Sequence, residues 1–421
     1  MNHFHYKDNR LFCEDVPVAE VAAKLGTPLY LYSRATLRRH FRVFEEGFAS
    51  LPHLTCFAVK ACSNLAILQQ FASLGGGADI VSGGELFRAL KAGMDPKKII
   101  YSGVGKTEAE IREALFADIL LFNVESAQEL DRIQGLAAEL GTRAPVSFRI
   151  NPDVDPKTHA YISTGLAKNK FGIPVDAALA EYQRARDMDN IEILGVSCHI
   201  GSQLTDTAPF VEALAKVKAF VGRLRDQGIT IRYLDLGGGL GITYNDEEPP
   251  HPHAYAEAIR TEMAGMDCTL ILEPGRVIVG NAGILVTEVQ YTKVNGGGET
   301  AKEFVIVDAA MNDLTRPSLY GAYHEIQPLL QTDAPRRTVD VVGPICETGD
   351  FLARDRELPE VGRGDLLAMM SAGAYGFTMA SNYNSRPRPA EVLVNGSEVH
   401  IIRRREDYDD LIRGEALLKK P

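Results

Sequence analysis

No two of the six cysteines (Cys13, Cys56, Cys62, Cys198, Cys268 and Cys346) stand in a Cys-x-x-Cys pair, so neither a zinc site nor a disulfide framework is expected. No metal site is expected elsewhere. No apolar run approaches the ~18 residues a membrane span needs, and residues 1–10 are polar, with no apolar signal segment. A cytoplasmic protein with no membrane contact is the expectation. Positive charge is also scarce: the net charge is -11, and the one compact basic run, Arg403-Arg404-Arg405, is short enough to do no more than solvate a strand end. Nucleic acid is therefore excluded as a partner. Low-complexity segments and solenoid repeats are missing too.

What is present is an ordinary globular balance, 45% hydrophobic and 24% charged over 421 residues, enough for about two or three domains. From Leu54 to Val59 an apolar run ends in Lys60, and small and polar residues follow. Taken alone, Lys60 is a polar stop at a strand end, the usual fate of a lysine. Strand-like runs occupy residues 54–60, 77–82, 97–102, 119–124, 145–150, 193–199, 232–237 and 269–273, separated by helical patterns such as Phe210, Leu214, Val217, Val221 and Leu224. Alternating units of this kind predict a (β/α)8 barrel, an α/β fold of parallel strands.

After residue 280 the period changes to alternation. Residues 283–294, 303–307, 338–342 and 366–370 read as strands, and 391–402 as a hairpin turning on Asn395-Gly396. The expected domains are an N-terminal segment, 1–26, packing on a β domain; a barrel, 27–280; and a C-terminal all-β domain, 281–421. Residues 404–418 read as a charged terminal helix.

Chemistry in such a barrel gathers at the C-terminal strand ends. There the sequence presents Lys60, Asp79 with the turn Ser82-Gly83-Gly84-Glu85, His199-Ile200-Gly201-Ser202, the glycine turn Gly237-Gly238-Gly239, and Glu273-Pro274-Gly275-Arg276. Successive glycine amides can cradle a phosphate. A dinucleotide fingerprint starting at Gly237 would need glycine at Ile242. A P-loop ending in Gly105-Lys106-Thr107 would need glycine at Ile100, and Thr107 capping a helix with Glu110 three residues on explains that stretch better. An amine able to form a Schiff base, a phosphate cradle, a carboxylate and an imidazole together suit pyridoxal 5'-phosphate. Glu273 is the candidate partner of the pyridine nitrogen, against a salt bridge as the plain alternative. His199 can stack on the ring, or be a satisfied core histidine, and Ser202 can donate to the phosphate.

Phe57-Ala58-Val59-Lys60, His199-Ile200-Gly201-Ser202, the triple glycine and Glu273-Pro274-Gly275-Arg276 resemble the alanine-racemase-fold pyridoxal phosphate decarboxylases, from about Pro28 to Val394. Within that group the likeness is strongest to the diaminopimelate decarboxylases. Asn151-Pro152-Asp153-Val154-Asp155, the stretch 157–165 around His159, Cys346-Glu347-Thr348-Gly349-Asp350, and residues 373–389, opening Gly373-Ala374-Tyr375, carry it. Thr348 stands where that family has serine, a small hydroxyl exchange.

The resemblance implies decarboxylation of meso-2,6-diaminopimelate to L-lysine. It implies that Lys60 holds the cofactor, with Asp79 among the cofactor-binding residues. Ser202, Gly237, Gly238, Gly239, Gly275, Arg276 and Tyr375 would surround the phosphate. Arg276, Arg316 and Tyr320 would bind the distal carboxylate, Glu347 the distal ammonium, and Cys346 would protonate the carbanion. Cys346 and Glu347 would come from the other subunit of a homodimer with shared active sites. The chemistry agrees, since a substrate with an amino acid group at both ends needs cationic and anionic contacts together. Ornithine or arginine decarboxylation, racemization on the same barrel, and a pyridoxal phosphate carrier or inhibitory homologue are the competing functions. For Cys346 the competing account is a buried structural thiol. The roles of Arg386 and Arg388 are left open by the sequence, with ordering of the loop after Tyr375 as the plain alternative.

Overall fold

The structure is a computed structural model that describes residues 2–155, 170–298 and 301–418. The stretch 157–165 around His159 therefore lies outside the described residues. The chain divides into two compact units, one of residues 38–243 and 247–278, the other of residues 1–37, 244–246 and 279–421.

The first unit is a closed parallel barrel. Its strands are His53–Ala58, Gly77–Ile80, Ile99–Tyr101, Leu121–Val124, Ala144–Asn151, Ile191–Ser197, Tyr233–Asp235 and Thr269–Leu272, each parallel to its neighbours, with the last paired to the first. All eight expected strands are present. Cys56, Ile100, Leu121 and Ile271 form a buried cluster across four of them, filling part of the barrel.

Outside, the helix Ala208–Asp226 buries Phe210, Ala213, Leu214, Val217, Phe220, Val221 and Leu224, the three-and-four spacing seen in the sequence. Tyr182 sits between Phe148 and Phe220, at ring separations of 4.5 and 5.7 Å, and its hydroxyl donates to the Gly195 carbonyl at 2.7 Å. Burial of a phenol is thus matched by a hydrogen bond. Thr107 and Glu110 form the expected capping box.

Lys60 departs from the expected strand. It lies in a tight turn, Val59–Ala61, after the first strand has ended at Ala58, where the Ala58 amide bonds the Pro274 carbonyl.

The second unit is sheet-rich. Its long strand Gly283–Asn295 pairs with Lys302–Val307, Leu366–Met369 and Leu29–Ser33. Leu29–Ser33, expected within the barrel region, is therefore built into this second sheet, where it also runs parallel to Ala390–Asn395. All five of its residues are buried, so its unbroken apolar run reads like a barrel strand. A short hairpin, Phe4–Lys7 with Arg10–Cys13, places Leu11 and Cys13 in one core with Val18, Val21, Leu31, Ile284 and Val392.

The expected Asn395-Gly396 hairpin is present, Gly396 taking φ +60. Phe351–Pro359 is a strand that the pattern did not disclose. The terminal helix is much shorter than expected, Tyr408–Leu411, because an Asp407 capping box starts it late and Gly414 turns left-handed soon after. Nor does the basic run merely solvate a strand: Arg403 pairs with buried Glu391 at 2.5 Å, and Arg405 donates to the Leu25 and Gly26 carbonyls.

Leu224 has no solvent exposure. Leu224→Ala should lower stability by about 2 to 5 kcal/mol, read as a reduced urea midpoint, from lost transfer energy plus a cavity.

Candidate active site

At the C-terminal ends of the barrel strands Lys60 Nζ donates to Asp79, whose side chain is fully buried. Two further buried carboxylates join it. Asp235 accepts the Gly237 amide at 2.8 Å and Asn123 Nδ2 at 2.9 Å, while Ser102 Oγ donates to Glu273 at 3.4 Å. Burial raises the Glu273 pKa well above the usual carboxylate range, helped by the charges of Asp235 and Asp79 and opposed by Lys60. Burial likewise lifts Asp235 to about 6 against the hydrogen bonds from Gly237 and Asn123. Proton affinity is therefore concentrated at Glu273.

His199 faces the glycine turn. The Gly238 amide donates to His199 Nδ1 at 3.2 Å, which puts the proton of the neutral ring on Nε2. Burial, then the cations Arg149 and Lys60, push the His199 pKa well below its ordinary value, so the ring is neutral. The three glycines are steric necessities. A Cβ would lie 2.5 Å from His199 Nδ1 at Gly237, 2.1 Å from the Glu273 carbonyl oxygen at Gly238, and 2.5 Å from the Gly201 oxygen at Gly239. Two of their amides, those of Gly237 and Gly238, are already engaged, so the turn is not an open cradle of three. Arg276 Nη2 donates to Ser202 Oγ at 3.0 Å, bringing the last strand's turn against the sixth strand's turn. Gly275 permits that approach, since a Cβ there would meet Ala58 and Ala61 at about 3 Å.

Lys60, Ser102, Asn123, Arg149, Ser197, His199 and Glu273 line a cavity of about 160 Å³. An enclosure of this size admits one six-membered aromatic ring. Asn123 Oδ1 and Ser197 Oγ are buried without a hydrogen-bond partner among the described residues, so the wall still has polar capacity. An amine, a proton-rich carboxylate, a neutral imidazole and unspent polar atoms around a ring-sized space fit pyridoxal phosphate.

Among the wall residues that sequence reasoning missed are Ser102, Asn123, Arg149 and Ser197, and it also missed Asp235. Arg149 is held by Glu125 at 3.2 Å, and the same carboxylate accepts the Gly103 and Gly172 amides. Lys106, from the P-loop lookalike, is buried and bonded to Glu129 at 2.7 Å, which gives it a structural role.

The other expected residues belong to the sheet-rich unit. Arg316 and Tyr320 bound the short helix Arg316–Tyr320, where Arg316 is buried and Tyr320 half-buried. Ser318 Oγ donates to the Gly349 carbonyl at 2.6 Å, tying that helix to the Cys346-Glu347 loop. Asp350 accepts the Ile345 and Met311 amides, each at 2.7 Å, and so braces the loop. Cys346 at its tip is exposed, which rules out the buried structural thiol. Tyr375 takes φ +56, a strained value for a bulky residue, between the tightly packed Gly373 and Gly376. Arg388 pairs with Glu406, and Arg386 donates to the Asp308 carbonyl; both contacts order the chain after Tyr375.

Residues 34–280 match the family described as pyridoxal-dependent decarboxylase, pyridoxal binding domain. The diaminopimelate decarboxylase of Pseudomonas aeruginosa is 55% identical over 418 residues, 99% of this chain and 100% of that one, and the Vibrio cholerae enzyme is 53% identical over 420. This chain belongs to the diaminopimelate decarboxylase family. Among solved structures of that family, the M. jannaschii protein in complex with L-lysine superposes with a TM-score of 0.93 at 42% identity, covering 99% of each chain. The Helicobacter pylori protein complexed with L-lysine gives 0.90 at 45%, covering 94% of this chain and 98% of that one. The barrel fold, the pyridoxal phosphate dependence and the decarboxylase class expected from the motifs are thus those of the diaminopimelate decarboxylase family.

Glu273 yields a pH test. Its folded-state pKa is raised, so the stability its proton confers is complete below the unfolded value of about 4.3 and is lost as pH rises toward the folded value. Glu273→Gln cannot titrate. The cofactor-free variant should therefore gain thermal midpoint over the cofactor-free parent at pH 8 and lose that advantage at pH 5; a gap independent of pH would contradict the buried-charge account.

Proposed function

We propose that this chain decarboxylates meso-2,6-diaminopimelate to L-lysine and carbon dioxide, the last step of lysine biosynthesis, as a cytoplasmic homodimer. The observation that carries the reading is the full-length identity to diaminopimelate decarboxylases, joined to a ring-sized cavity that holds Lys60, His199 and Glu273. Pyridoxal phosphate, when bound, supplies an electrophilic carbon and a ring able to accept the electrons left by the departing carboxylate.

The protein's own groups do the rest. Lys60 would hold the cofactor through its amine, with Asp79 keeping the ammonium in place beforehand. Glu273, with its raised proton affinity, is assigned to the ring nitrogen, and neutral His199 to the ring face. Ser202, the glycine turn, Gly275, Arg276 and Tyr375 are assigned to the phosphate. Arg276, Arg316 and Tyr320 take the distal carboxylate, and Glu347 the distal ammonium, so that one end of the substrate is recognised while the other reacts. Water is excluded from the reacting end and Cys346 Sγ delivers a proton to Cα.

Cys346 and Glu347 are assigned to the site of a second copy. Exposure of both residues on a loop braced by Asp350 supports this, because a proton donor exposed to solvent in one copy needs a covering partner to work in a dry site.

Lys60→Ala should lose the visible absorbance of bound cofactor and all turnover. Cys346→Ala should keep the absorbance and fall by about a hundredfold or more in kcat. Mixed and allowed to exchange subunits, the two variants should regain about a quarter of parental activity, since half the dimers are mixed and each carries one intact site. No recovery despite measured exchange would overturn the shared site.

A further inference from the structure

Arg316 is packed against a histidine and a tyrosine. Its Nη1 lies 2.7 Å from His324 Nε2, and its guanidinium carbon is 4.4 Å from the centre of the Tyr244 ring. His324 is fully buried and its Nδ1 is 2.8 Å from the Met370 carbonyl oxygen. A carbonyl only accepts, so Nδ1 carries the hydrogen and Nε2 offers a lone pair to the arginine N–H. The imidazole meets the Tyr244 ring edge-on, at 5.3 Å and 77°.

Backbone contacts hold this frame. The Met370 amide donates to the Glu325 carbonyl at 2.8 Å, and Arg356 Nη1 donates to the His324 carbonyl at 2.7 Å. Neither contact depends on the His324 side chain.

We propose that His324 and Tyr244 are positioning residues that hold the Arg316 guanidinium in a single plane and rotation for bidentate capture of the substrate's distal carboxylate. The inference rests on the reading of Arg316 as a carboxylate receptor. A guanidinium binds a carboxylate strongly when two parallel N–H groups are aimed at it. Tyr244 sets the plane by stacking, and His324 sets the rotation within that plane by accepting from one nitrogen. The choice of imidazole matters electrostatically. A glutamate in the same place would orient Arg316 equally well but would compete with the substrate for its charge. A neutral acceptor orients without competing.

The test is steady-state kinetics of the cofactor-loaded enzyme with diaminopimelate. His324→Phe, lacking the acceptor, should raise KM about tenfold with kcat within about threefold and cofactor absorbance unchanged. His324→Gln, whose amide oxygen restores a neutral acceptor, should return KM to within about threefold of the parent, while His324→Glu should raise it at least as much as His324→Phe. If His324→Phe does not fold, the contrast between His324→Gln and His324→Glu decides. Arg316→Ala combined with His324→Phe should have the KM of Arg316→Ala alone, because the histidine acts through the arginine. Equal KM for all His324 variants, or additive effects in the double variant, would overturn the inference. If Arg316→Ala itself left KM unchanged, the carboxylate reading of Arg316 would fail first and take the inference with it.

Discussion

The barrel's functional end depends on a charge imbalance: three buried carboxylates, Asp79, Asp235 and Glu273, share a small volume with the Lys60 ammonium. Burying ionised carboxylates is unfavourable unless they are paired or hydrogen-bonded. Asp79 Oδ2 accepts from Lys60 while its Oδ1 is buried without a hydrogen-bond partner among the described residues, and Asp235 accepts from the Gly237 amide and Asn123. Glu273 receives the weakest support, a 3.4 Å contact from Ser102, and is the carboxylate whose proton affinity rises most. The geometry thereby makes a strong proton acceptor at one place on the cavity wall and a neutral histidine at another. Both states follow from burial and neighbours.

Close backbone approach is the second constraint. The glycine turn packs with no room for a Cβ and Gly275 lies tightly against Ala58 and Ala61, which lets three strand ends converge on one cavity. Rigid strands then aim side chains that loops alone would leave less defined. The sheet-rich unit repeats this strategy with different parts. Asp350 staples the Cys346-Glu347 loop, Ser318 ties it to the Arg316 helix, and His324 with Tyr244 orders the Arg316 guanidinium.

Much of this was legible in the sequence because strand ends are marked by a change of residue type. Lys60, His199 and Glu273 each close an apolar run, and the glycine turn follows another. Asp235, Asn123 and Arg149 were not found. Each is a buried polar residue of a barrel strand, and alternation assigns it no partner. Its presence there is itself a signal, since an isolated buried charge requires compensation. Leu29–Ser33 was misplaced for the opposite reason: a strand buried on both faces has no alternation to show which sheet it joins. His324 carried no sequence signal at all. Its importance lies in which ring nitrogen faces Arg316, and only the folded geometry supplies that.

The account's central claim is recognition of a substrate with an amino acid group at both ends, by arginines for one charge and Glu347 for the other. Carbon dioxide release from diaminopimelate, ornithine, arginine and lysine, assayed side by side, tests it most directly. Diaminopimelate should exceed each of the others in kcat/KM by about a hundredfold or more, because substrates without the distal carboxylate leave charged hydrogen-bonding groups unpaired. Comparable turnover of ornithine or lysine would contradict it.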